Sequence, residues 1–81
     1  MPRMRYVVGP DDADGWQVWQ INSAVKALGS YTTRAEAIRA AVDTAHAAGE
    51  SNPDGGQVLV QSRVGQLRIE WTYGDAYPPR A

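Results

Sequence analysis

The chain has 81 residues, eight Lys plus Arg against nine Asp plus Glu, a net charge of −1 and no cysteine. One domain is expected, burying about two-thirds of its extended-chain surface, and disulfides, thiolate catalysis and cysteine-based zinc or iron–sulfur centres are excluded. A charge this close to neutral creates no field that recruits nucleic acid or an anionic membrane by itself, and no apolar run approaches the roughly 20 residues that span a bilayer.

The N-terminal Met1-Pro2-Arg3-Met4-Arg5 lacks the apolar region of a signal peptide, so the expected location is the cytoplasm. Three Trp and four Tyr stand beside no Phe, so every aromatic side chain carries a polar handle.

In chain order, Arg5–Gly9 reads as a short strand closed by Pro10, and Pro10–Gly15 as a turn cluster rich in Asp and Gly. Trp16–Asn22 follows as its hairpin partner. On a two-residue period Trp16, Val18 and Gln20 share one face, while Gln17, Trp19 and Ile21 share the other. Ser23–Lys26 is expected to turn, and Ala27–Tyr31 to add a weaker third strand. Thr33 and Glu36 form a capping box in which the Thr33 hydroxyl accepts from the Glu36 N–H and the carboxylate reaches back to the Thr33 N–H. Ile38, Ala41, Val42 and Ala45 recur at helical spacing, and Gly49 reads as the stop. Because the stripe is mostly alanine, the helix can lie close against a sheet whose strands supply most of the core.

Glu50–Gly56 is a loop dense in turn formers. Gln57–Ser62 and Leu67–Tyr73 then read as a hairpin turned at Arg63–Gln66, with Gly65 at the position of positive φ. In the last strand Leu67, Ile69 and Trp71 alternate with Arg68, Glu70 and Thr72. The segment 74–81, containing Pro78 and Pro79, is expected to run as a strap or tail after the sheet.

These elements, carried by Tyr6-Val7-Val8-Gly9-Pro10, Gly15-Trp16-Gln17-Val18, the Tyr31–Ala41 helix entry, Val58-Leu59-Val60 with Gly65-Gln66-Leu67, and Thr72-Tyr73-Gly74 with Pro78-Pro79, resemble the DUF2188 family of small bacterial proteins. The resemblance runs from about Tyr6 to Pro79. It implies a compact α+β domain and brings no established activity and no catalytic residues. The family pattern is commonly polar or charged where this chain has Trp19, Ile21, Ile69 and Trp71. The strand-then-helix piece from Trp16 to Ala37 is also similar to the AP2-like and integrase-arm domains, which lay a three-stranded sheet in the major groove. In that comparison the open face of the second strand would offer Gln17, Trp19 and Ile21, with no Lys or Arg.

If Trp16 and Val18 face the helix, Trp19 and Ile21 face away, either as a contact surface or tucked under the C-terminal strap by a bulge or twist. His46 is the only histidine and sits near the helix end, where solvent-facing capping is the simplest role. Asp11, Asp12 and Asp14 lack the glycine and distal glutamate of an EF-hand loop and read as turn chemistry. Asp54-Gly55-Gly56 and Val64-Gly65 form no phosphate loop, and no nucleophile has a recognisable base at a familiar spacing.

The expectation is an α+β fold, an antiparallel sheet of four to five strands with one helix on one face, in the order β-β-(β)-α-β-β. Its expected role is a non-enzymatic interaction module, a homodimer or a protein-docking domain, without cofactor, metal or membrane. The candidate contact residues are Gln17, Trp19, Ile21 and Trp71, with Arg63 and Arg68 as candidate phosphate contacts in the alternative, a nucleic-acid-binding sheet. A third class is a small-molecule or peptide pocket between helix and sheet. The Ala, Arg, Asp and Gly usage fits a high-GC bacterium or its phage.

Overall fold

A computed structural model describes residues 4–11, 15–21, 25–51 and 55–77. In chain order the elements are β1 (Met4–Pro10), β2 (Trp16–Ile21), β3 (Val25–Tyr31), α1 (Arg34–Ser51), β4 (Gly56–Gln61) and β5 (Leu67–Thr72). The five strands form one sheet in the order β3-β2-β1-β4-β5, with α1 packed across one face.

The expected all-antiparallel sheet is corrected at its centre, where β1 and β4 run parallel. The other three pairings are antiparallel. Two successive hairpins leave β3 running in the direction of β1. The helix then carries the chain back across the face, so β4 starts from the same end as β1 and slots in beside it. Both central strands are thereby flanked on each side, and β3 and β5 become the edges.

The helix begins as the Thr33–Glu36 pair dictates. The Glu36 N–H donates to Thr33 Oγ1 at 3.1 Å. The carboxylate does not reach the Thr33 N–H; it accepts the hydroxyls of Thr32 at 2.7 Å and Thr33 at 3.0 Å. Those two donors hold the Glu36 carboxyl below its ordinary range.

Gly49 does not end the helix, which continues to Ser51. It is buried, and a Cβ placed on it would overlap the ring of Tyr73. This glycine therefore serves close approach between helix and chain rather than a left-handed cap. The left-handed glycines of the described segments are Gly55 and Gly74 (φ +76° and +108°) and Gly65 (φ +89°), the last in the β4–β5 turn as expected.

The core lies between α1 and the sheet. Ala37, Ala41, Val42 and Ala45 are wholly buried on the helix, against Tyr6, Val8, Val18, Val58, Val60 and Trp71 from the strands. Gly56 and the helix meet closely, since a Cβ there would fall 2.8 Å from the Ala45 carbonyl oxygen. The alanine stripe thus sets a short helix–sheet distance, and the strand side chains provide the apolar volume.

Two bulges alter the two-residue period. Leu28 is the extra residue of β3, opposite the Val18/Trp19 step, and Glu70 is the extra residue of β5, opposite the Val58/Leu59 step. The Glu70 bulge inverts the alternation read for β5. Leu67 and Ile69 lie on the face away from α1, whereas Trp71 returns to the helix side, pairs with Val58 and is 3% exposed.

The chain after β5 also packs on the helix side. The Trp71 indole N–H donates to the Ala76 carbonyl at 3.0 Å. The Tyr77 ring stacks on His46 with centroids 3.8 Å apart and an 8° interplanar angle. Its hydroxyl donates to Asp43 Oδ1 at 2.8 Å, and Arg39 Nε donates to the same oxygen at 3.0 Å.

Candidate functional site

The open face of the sheet is assembled by register. Its middle row runs across all five strands as Ala27, Trp19, Val7, Leu59 and Ile69, every member apolar. One flanking row is Ser30, Gln17, Gly9, Gln61 and Leu67, and the other is Val25, Ile21, Arg5, Gln57 and Thr72. With strands about 4.8 Å apart, the apolar row extends about 19 Å. Half of the ten flanking residues bear a hydroxyl or carboxamide, Leu67, Val25 and Ile21 are apolar, and Arg5 is the one charged residue in the three rows.

Trp19 is seated by its neighbours. A Cβ on Gly9 would fall 2.9 Å from indole Cζ3 and 3.2 Å from Gln61 Oε1, so the missing side chain of Gly9 lets the indole lie flat over β1. Val7, one row along, is only 5% exposed beneath this arrangement. Trp19 and Ile21 remain half-buried, while Val25, Leu67 and Ile69 stand 69%, 57% and 58% exposed. At the side, Gln57 Nε2 donates to Thr72 Oγ1 at 3.4 Å, which orients a buried amide without a charge.

Of the candidate residues, Gln17, Trp19 and Ile21 lie together on this face. Trp71 does not join them, because the Glu70 bulge turns it into the core. The strap lies against α1 through Tyr77, so among the described residues it is not what covers Trp19. Arg63 sits exposed in the β4–β5 turn, and Arg68 is opposite Val60 on the helix side of β5. The two arginines therefore do not reinforce the aromatic face. The reading of the hairpins alone missed Val7 and Leu59 as members of the apolar row. Their signal lay in the uninterrupted runs Tyr6–Val8 and Val58–Val60, the mark of strands buried on both faces.

The acidic turn is built locally. The Gly15 N–H donates to Asp11 Oδ1 at 2.9 Å and the Asp11 N–H to the Gly15 carbonyl at 3.0 Å; Asp12 and Asp14 lie outside the described residues. His46 is surrounded by Tyr77, Tyr73 and Trp71, and its Nδ1 lies 3.2 Å from Glu50 Oε1. Among the described residues no three of His, Asp or Glu converge on one point, and no helix is long and apolar enough to cross a membrane.

Fold and face together define a small α+β domain whose mixed sheet is covered on one side by its helix and presents an apolar row on the other. The chain belongs to the DUF2188 family, described as uncharacterized protein conserved in bacteria, whose profile matches residues 5–73. No curated protein and no solved structure shows a significant match.

Proposed function

We propose that the protein is a non-enzymatic, cytoplasmic interaction module that pairs with a second copy of itself through the open sheet face. The observation that carries this reading is the unbroken apolar row from Ala27 to Ile69, with Leu67 and Ile69 more than half exposed. An apolar patch flanked by polar groups with little charge is the pattern of an interface core and rim. The near absence of charge on the face suits self-pairing, since residues near a twofold axis meet their own kind and like charges there would repel.

The three rows span about 19 Å by 14 Å, or about 530 Å² of planar area for the pair, so the strand ends and loops around the rows join the contact if it is to reach the roughly 1,200 Å² of specific interfaces. The net charge of −1 opposes association only weakly. The lack of cysteine suits a reducing compartment.

The test is light scattering coupled to size exclusion over a range of concentrations, for wild type and Trp19→Ala. A concentration-dependent dimer that the substitution weakens is the expected result. A monomer at high micromolar concentration that ignores the substitution would rule the dimer out. Titration with single- and double-stranded DNA at two salt concentrations belongs in the same experiment: tight, steeply salt-dependent binding would replace self-pairing with the nucleic-acid reading.

A further inference from the structure

A groove of about 420 Å³ opens between the start of α1 and the β4–β5 turn, lined from the helix side of the sheet and also by Gln61 and Leu67 of the open face. Its apolar part is the half-buried Trp16, which packs against the core, and Val60, only 7% exposed. Arg34, the first residue of α1, and Arg68, opposite Val60 on β5, both line it. Ser62 and Gln66 add hydroxyl and amide groups from the turn.

Three features set this groove apart from the rest of the surface. First, no carboxylate of the described residues lines it. Second, neither Arg34 nor Arg68 has an ion-pair partner among the described residues, where Arg39 pairs with Asp43 and His46 Nδ1 lies 3.2 Å from Glu50 Oε1. The concavity on the other side of the helix start, lined by Tyr31, Glu36, Arg39 and Asp43, differs in this respect because its arginine is already paired. Third, Arg34 stands in the first turn of α1, where the helix dipole disfavours a cation. Two unpaired guanidiniums beside a helix start leave a local excess of positive potential, which a bound anion offsets through paired N–H donors.

We propose that the groove is a binding site for a small organic oxyanion, a carboxylate or phosphate monoester carried on an apolar body. Arg34 and Arg68 hold the oxyanion, Ser62 and Gln66 donate to its remaining oxygens, and Trp16 with Val60 receives the apolar part. Gln61 and Leu67, which also line the groove, belong to a flanking row of the open face, but Ile69 does not line it, so the titration is run on dilute protein to be read apart from self-pairing.

The experiment is an NMR titration of the full chain with phenyl phosphate, benzoate and inorganic phosphate, reading the Trp16 indole N–H and the Arg34 and Arg68 Nε–H resonances. Saturable shifts with either aryl anion are expected, the tighter of the two naming the headgroup, and inorganic phosphate should bind about tenfold more weakly for want of the apolar contact. Arg34→Gln with Arg68→Gln should weaken the aryl anion at least about tenfold while the thermal midpoint stays put, because both residues are exposed. Ile69→Thr should leave the titration unchanged. No saturable shift at millimolar concentration, equal affinity for inorganic phosphate, or binding that survives the double substitution would each overturn the assignment.

Discussion

Ile69→Thr is the most direct probe of the open face, because it retains β-branching and so spares the strand while removing apolar surface. The change replaces two carbons of the side chain by one hydroxyl. At about 0.8 kcal/mol per buried CH₂, and with 58% of Ile69 still to be covered, each copy loses about 0.9 kcal/mol on pairing. A twofold interface counts the residue twice, so the dimer loses about 2 kcal/mol, or about 30-fold in Kd. Covering the new hydroxyl without a partner adds to that cost. Sedimentation equilibrium over a wide concentration range measures Kd for both proteins, and urea unfolding of dilute samples measures the monomer. The expected outcome is a Kd raised at least 30-fold with a urea midpoint nearly unchanged, since surface substitutions typically alter stability by less than about 0.5 kcal/mol. An unchanged Kd would refute the reasoning, for it would place the contact elsewhere. A monomer destabilised as much as the dimer would show that Ile69 is part of the fold's own packing.

The contact between Gly49 and Tyr73 predicts an inversion of sign. Gly→Ala inside a helix ordinarily stabilises by about 1 kcal/mol, but at Gly49 the added methyl displaces the Tyr73 ring, so Gly49→Ala should lower stability by about 1 kcal/mol once overpacking is included. In a Tyr73→Ala background the same substitution should raise stability by about 1 kcal/mol in urea melts, and equal effects in both backgrounds would contradict the contact. The strap should respond at both ends of the pH scale. The Tyr77 hydroxyl and Arg39 hold the Asp43 carboxyl below its ordinary 3.8, so the stabilisation is present above that value and is lost as the pH falls through the lower folded value. The same bond raises the Tyr77 phenol above its ordinary 10.0, so its contribution is complete below pH 10 and is lost as the pH climbs through the raised value. NMR shifts of the Tyr77 ring protons, displaced by stacking on His46, should collapse at both extremes, and Tyr77→Phe should abolish the alkaline step.

What local chemistry determines was legible in the sequence. Thr33 begins the helix because its hydroxyl accepts the Glu36 N–H of the first turn, whatever packs above, and the Glu36 carboxylate fixes that hydroxyl by accepting from it. Gly65 makes its turn because an L side chain resists a φ of +89°. The grouping of Trp16 with Val18 on one face of β2, and of Gln17, Trp19 and Ile21 on the other, follows from the pleat alone, while the packing of α1 decides that the Trp16 face is the inner one.

Tertiary structure decided whatever depended on which distant segments meet. Gly49 carries the composition of a helix stop, yet the helix runs on to Ser51, and the glycine is there because the Tyr73 ring occupies the space a side chain would need. Leu67, Ile69 and Trp71 keep perfect sequence alternation, but one extra residue at Glu70 sends Trp71 to the core and leaves the other two outside. The apolar row itself exists only because β4 lies parallel beside β1, bringing Leu59 and Ile69 into line with Val7 and Trp19. Periodicity specifies the face of a residue within its own strand. The neighbour of that strand is chosen by how the helix crosses the sheet and which arrangement buries both central strands, a property of the whole chain rather than of any segment in it.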